Sequence, residues 1–149
     1  MKQLVQKTFK PEDALVLMGN SIEKNPKIDI DKFEILGNQS VASTWWYNDS
    51  IIGCGGIVIY EEGKCVAWSI IDKELAMPFK RELMVGSKRF LNKVAKENRI
   101  TYMKASWQVN FAPEIHWLEH LGFEKEDEVI EVNGMKAYVY SRRFKWESL

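Results

Sequence analysis

Between Ser40 and Ile71 the chain reads SVASTWWY, then Asn48-Asp49, then IIGCGGIVIY from Ile51, then a turn at Glu62-Gly63, then KCVAWSII. Three β-branched and aromatic runs separated by short turns predict an antiparallel meander over 40–47, 51–60 and 64–71. The segment after this meander constrains the fold most. Residues 79–98, FKRELMVGSKRFLNKVAKEN, place Phe79, Leu83, Val85, Phe90, Leu91, Val94 and Ala95 close to one helical stripe. Lys80, Arg81, Lys88, Arg89 and Lys93 make its solvated face. The next run, ITYMKASW (100–107), is a strand again. A strand–helix–strand crossover of this length makes strands 64–71 and 100–107 parallel neighbours. A parallel pair inside an antiparallel sheet can splay at its ends and open a cleft.

Around this centre the pattern adds a first strand in residues 2–9 and a helix in KPEDALVLMGNSIEKN, with Pro11 in its first turn and Glu12 and Asp13 near the positive end of its dipole. DIDKFEILGN suggests a second short helix ended by Gly37. Residues 113–121 read as a helix, with Pro113 at its start, Gly122 as a left-handed cap and Phe123 folding back. EVIEV-NG-MKAYVYSRRF reads as a hairpin on an Asn-Gly turn. The sum is an α+β fold, a mixed and mostly antiparallel sheet with helices on both faces, in one domain over residues 1–149.

Gly53, Gly55 and Gly56 in the middle strand predict a bulge or a close backbone approach. If Glu61 faces Lys64, Tyr60 faces Cys65 and Cys54 faces Ile71. The two cysteines then lie roughly 20 Å apart at about 3.3 Å per residue and do not bridge. Both suit small core positions.

Composition excludes some functions. With 21 basic and 21 acidic residues the formal net charge is zero, so no broad positive field exists to draw in nucleic acid, and none is expected as a partner. No run is long and apolar enough to span a membrane. The N-terminus lacks the apolar core of a signal peptide. Two cysteines fit a reducing compartment, so the expected location is cytoplasmic.

Element order and the stretch from Asn110 through WLEHLGF resemble the GNAT superfamily of acyl-CoA-dependent N-acyltransferases. The likeness covers nearly the whole chain in layout and is specific between about residues 64 and 123. It implies acetyl-CoA as cofactor, held between the splayed strands, with main-chain groups of Ser69, Ile70 and Ile71 facing the thioester. In that family a loop reading Arg/Gln-x-x-Gly-x-Gly/Ala grips the diphosphate with backbone amides at the next helix's N-terminus. Here the loop is IIDKELAMPFKREL. Ala76 stands where Arg or Gln is expected, and Phe79 and Arg81 where two small residues are expected. Pro78 removes an amide. The Phe79 side chain is expected to fill the space the diphosphate needs, and Lys80 and Arg81 either compensate by charge or form a solvated face.

The family's catalytic Tyr position holds Leu118, which cannot protonate a thiolate. His116 is the general acid or base the helix offers, against a plain packing role. His116 and His120 share a face, but no third ligand is placed, so no metal is expected. Asn110 matches the family Asn at the strand end, as substrate contact or as a bond to the broken strand. Asp72 is a candidate base or a helix cap, and Glu61 and Glu62 are solvated alternatives. The compact layout, the eroded glycine motif and the Leu at the Tyr position also resemble the acetyltransferase-like internal virion proteins of short-tailed phages. That resemblance implies a host-cytoplasm or virion location and a silent scaffold with a protein partner. Six tryptophans, Trp45, Trp46, Trp68, Trp107, Trp117 and Trp146, supply aromatic surface for such a partner or else fill the core.

Overall fold

The computed structural model describes residues 4–20, 40–108, 118–132 and 135–146. Its elements are β1 (Val5–Thr8), α1 (Pro11–Asn20), β2 (Ser40–Tyr47), β3 (Ser50–Glu61), β4 (Lys64–Ile71), α2 (Lys73–Ala76), a 3-10 turn (Met77–Phe79), α3 (Lys80–Glu97), β5 (Tyr102–Gln108), β6 (Glu124–Val132) and β7 (Met135–Arg143). The strands form one seven-stranded sheet in the order β1-β2-β3-β4-β5-β7-β6. The pairing of β4 with β5 is parallel, from Lys64↔Tyr102 to Val66↔Lys104, whereas β1–β2, β2–β3, β5–β7 and β6–β7 are antiparallel. The expected α+β architecture with a parallel pair is therefore present. Among the described residues the parallel ladder ends at the third pair, although each strand continues. Residues 29–38, Asn110, Pro113, His116 and the Asn133-Gly134 turn lie outside the described residues.

The chain divides into two compact units. The first comprises Met1–Val58 and Trp68–Val85. Its core gathers Phe9, Leu17, Ile51 and Cys54, with Ala42, Trp46, Trp68 and Ile70 packed against them. Helix α1 begins at Pro11 as expected, but Asp13 does more than face the dipole. It is buried, and its Oδ2 accepts from the Lys10 amide at 3.0 Å and from the Thr44 hydroxyl at 2.7 Å. The first bond is the return half of a capping box, and the second ties the start of α1 to β2.

Close approach explains the glycines of β3. A Cβ on Gly56 would run into the Val41 carbonyl oxygen and lie 2.6 Å from the Ala42 Cα. One on Gly55 would lie 2.7 Å from the Trp68 carbonyl oxygen. The β2–β3 register also shifts between Trp45↔Gly53 and Trp46↔Ile51, which leaves Ile52 as an extra residue on β3. The bulge and the close approach are thus both present. The expected facing of Cys54 and Ile71 is off by one. The Asp72 amide donates to the Ile52 carbonyl at 3.0 Å, and Gly53 and Gly55 approach Ile71 and Ser69. That register sets Cys54 opposite Ile70.

The second unit comprises Ile59–Ala67 and Gly86–Leu149. Gly63, at φ 79, turns β3 into β4, and its carbonyl accepts from the amides of Thr101 at 2.7 Å and Tyr102 at 3.0 Å. That one carbonyl sets the start of β5 beside the start of β4. Helix α3 ends in a Schellman motif: Ile100 N–H bonds Ala95 C=O at 2.9 Å, Arg99 N–H bonds Lys96 C=O at 3.3 Å, and Arg99 takes φ 53. Gly122, at φ 97, closes the second Schellman motif as expected, with Phe123 N–H on Leu118 C=O and Gly122 N–H on Glu119 C=O, both 3.0 Å. Val85 departs from the expected stripe and is exposed, while Leu83, Leu91, Val94 and Ala95 are buried.

Both cysteines are free and buried. Burial pushes the Cys54 thiol up to about 12, with the Asp13 carboxylate adding to the rise, and burial alone lifts Cys65 to about 12. Two labels per chain are expected in denaturant without reductant, and almost none in the native state at pH 8, which intact mass after alkylation reads directly. A folded thiol pKa above the ordinary 9.0 favours the neutral form. Its contribution to stability is full below pH 9 and falls as pH rises from there toward 12. A chain as stable at pH 11 as at pH 8 would contradict this.

Candidate functional site

The residues singled out by resemblance lie where β4 runs into α3, within the first unit. Strand β4 ends Trp68-Ser69-Ile70-Ile71. Ser69 is exposed, and Ile70 and Ile71 are half-buried. Trp68 meets the edge of Phe9 at a centroid distance of 5.2 Å. Its indole N–H is buried without a hydrogen-bond partner among the described residues.

Asp72 follows, buried at 6% exposure. Its backbone is extended, its Oδ1 accepts from the Leu75 amide at 3.0 Å, and its carbonyl accepts from the Ala76 amide at 2.8 Å. This is an N-cap, the alternative to catalysis that the residue type always carried. The acid therefore stabilises the start of a helix with the same oxygen chemistry a base would use.

Beyond Asp72 the backbone does not open into a loop. Residues 73–76 are α-helical, 77–79 form a 3-10 turn with Pro78 inside it, and 80–97 are α-helical again. Ala76 (φ −78, ψ −23), Met77 (φ −52, ψ −47) and Lys80 (φ −48, ψ −49) all lie in the right-handed helical region. In an α-turn each amide points back to the carbonyl four residues earlier, and in a 3-10 turn to the one three earlier. The Met77 amide thus continues the ladder of α2, and those of Phe79 and Lys80 face the carbonyls of Ala76 and Met77. Pro78 has no amide to offer.

The Phe79 side chain is buried. It is 4% exposed and packs on the Tyr47 ring at 4.7 Å between centroids. Its ring lies against β2. Lys80 and Arg81 are exposed, as the solvated-face alternative expects. Leu118 is buried, and His120 is exposed on the helical stretch 118–120. Among the described residues no cluster of His, Cys, Asp and Glu could hold a metal ion, and no helix is long and apolar enough to cross a membrane.

The structure brings together Ser69, Ile70, Ile71, Asp72, Lys80 and Arg81 on one continuous stretch of the first unit. Asn110 and His116 lie outside the described residues. Two features went unread in the sequence: the pairing of amides across residues 76–80, and the burial of Asp13 against Thr44. An acid at the third position of α1, after Pro11, was the available signal for the second.

No protein-family model and no curated protein sequence matches the chain. Solved structures do. A variant of the spermidine N-acetyltransferase SpeG from Vibrio cholerae superposes with a TM-score of 0.71 at 16% identity, over 95% of this chain and 94% of that one. The GNAT-family acetyltransferase from Bacillus anthracis gives 0.65 at 13% identity, over 96% of each chain. A Bacillus subtilis acetyltransferase in complex with CoA gives 0.66 at 12% identity, over 97% of this chain and 100% of that one. With its strand order and parallel β4–β5 pair, the chain has the GNAT fold.

Proposed function

We propose that this chain is a GNAT-type acyltransferase scaffold for acyl-CoA-dependent transfer to an amine, with a degenerate diphosphate loop that leaves acetyl-CoA weakly held. One observation carries the reading: β4 and β5 pair in parallel through the α3 crossover in a chain that superposes on solved acetyltransferases, one of them in complex with CoA. The main chain of Ser69, Ile70 and Ile71 is then the surface facing the donor's thioester. Lys80 and Arg81 supply exposed positive charge beyond it, and Asn110 and His116 remain the candidates for acceptor contact and proton transfer. Asp72 is the candidate base on β4, in competition with its cap.

The helical run from Lys73 to Glu97 favours a second reading, a catalytically silent scaffold that acts through a protein partner, as in the phage internal virion proteins it resembles. Four tryptophans with described side chains, Trp45, Trp46, Trp68 and Trp146, are only partly buried, and Tyr60 is 47% exposed. Amide chemical shifts during titration with acetyl-CoA separate the two readings. The acyltransferase reading expects Ser69, Ile70 and Ile71 to move and to saturate only at millimolar ligand. Unmoved amides at these positions throughout the titration would leave the silent scaffold.

A further inference from the structure

We infer that the amide cradle for the CoA diphosphate is closed in this chain, so that any donor is recognised without its nucleotide diphosphate. This rests on the acyltransferase reading only for the donor's identity; the closure is a property of the backbone. An anion site at a helix start needs consecutive N–H groups that have no carbonyl partner and converge on one point. From Ala76 to Lys80, the stretch that the resemblance sets over the diphosphate, this chain provides none. Leu75 N–H is on the Asp72 carboxylate and Ala76 N–H on the Asp72 carbonyl. Met77 N–H continues the turn of α2, Pro78 has no N–H, and the Phe79 and Lys80 amides close the 3-10 turn.

The charge at the open end of this helical run also has the wrong sign for a ligand anion. The four exposed donors at a helix start carry about half a positive charge, which attracts anions. Here the buried carboxylate of Asp72 already sits at that start. A diphosphate arriving there meets the Asp72 carboxylate beside the first amides of α2. Lys80 and Arg81 are exposed and screened by salt, so they replace little of the missing grip. Loss of even two amide contacts to an anion, at about 1.5–3 kcal/mol each, corresponds to roughly a hundred- to ten-thousand-fold in affinity. That is the advantage acetyl-CoA forfeits over a donor with no diphosphate.

The test compares two thioesters on the full chain: acetyl-CoA and S-acetyl-pantetheine, which lacks the nucleotide and its diphosphate. Dissociation constants come from calorimetry or from amide shifts, with Met77, Phe79 and Lys80 followed individually. Closure predicts constants within about tenfold of each other and no movement of those three amides. Equal, measurable binding of both donors supports the closed cradle and the acyltransferase reading together. Binding of neither supports the closed cradle and sinks the acyltransferase reading. Acetyl-CoA binding more than about tenfold tighter, with those amides shifting, overturns the closure and leaves the acyltransferase reading standing.

Discussion

Phe79→Ala is expected to lower folding stability by about 3–5 kcal/mol and to leave acetyl-CoA affinity no tighter than before. The side chain is almost fully buried and packed on Tyr47, so truncation removes both its transfer free energy and a ring contact. In a chain of this length such a loss lowers Tm by on the order of ten degrees or more. The binding half of the prediction is the more informative. If the Phe79 ring filled the diphosphate space, its removal would admit the ligand. If paired amides close that space, removal changes nothing there. Denaturant midpoints and a calorimetric titration of the same variant decide the matter. A variant that is stable and binds acetyl-CoA at micromolar concentration would return the obstruction to the side chain.

The other large effect belongs to the β2–β3 contact. Gly56→Ala should cost about 3 kcal/mol or more, because its Cβ would enter the Val41 carbonyl oxygen and the Ala42 Cα, which are backbone and cannot rotate away. The φ of Gly56 is not the issue; the distance to β2 is. Gly53 provides the comparison. Its Cβ would meet Ile70 and Ile71 at 3.2–3.3 Å, one of those atoms in a side chain that can yield, so Gly53→Ala should cost clearly less. Urea unfolding of both variants, with unchanged dependence on denaturant, measures the difference. Equal losses, or a Gly56→Ala loss below about 1 kcal/mol, would mean that the two strands do not approach as closely as the structure has them.

Local pattern was enough for much of this molecule. Three strand runs, a helical stripe and another strand are periodic signals, and each survives in the structure because period and residue type act over a few residues. The parallel β4–β5 pair came from the same signals, since a strand–helix–strand unit has few ways to close. Gly122 could be read as a cap for the same local reason: only a left-handed residue lets Phe123 N–H reach the Leu118 carbonyl.

The candidate site was decided by contacts that are not local. Whether the amides at 77, 79 and 80 are vacant or paired depends on backbone angles across Ala76 to Lys80, and those depend on where Phe79 goes. Tyr47, distant in sequence, supplies the surface that draws the ring inward and holds the 3-10 turn. The residue types alone showed that the glycines were missing and suggested an obstructing side chain. Tertiary packing turned that side chain into the core against Tyr47. Asp13 and Cys54 make the same point. An acid in the first turn of α1 and a cysteine in a strand are ordinary from sequence. Only the sheet brings Thr44 to the carboxylate, and only the bond from the Asp72 amide to the Ile52 carbonyl places Cys54 opposite Ile70. Sequence determined which elements form, because their codes are short in range. Tertiary structure decided which polar groups remain available for a ligand, because each amide or carboxylate is either vacant or paired according to neighbours that the chain brings from elsewhere.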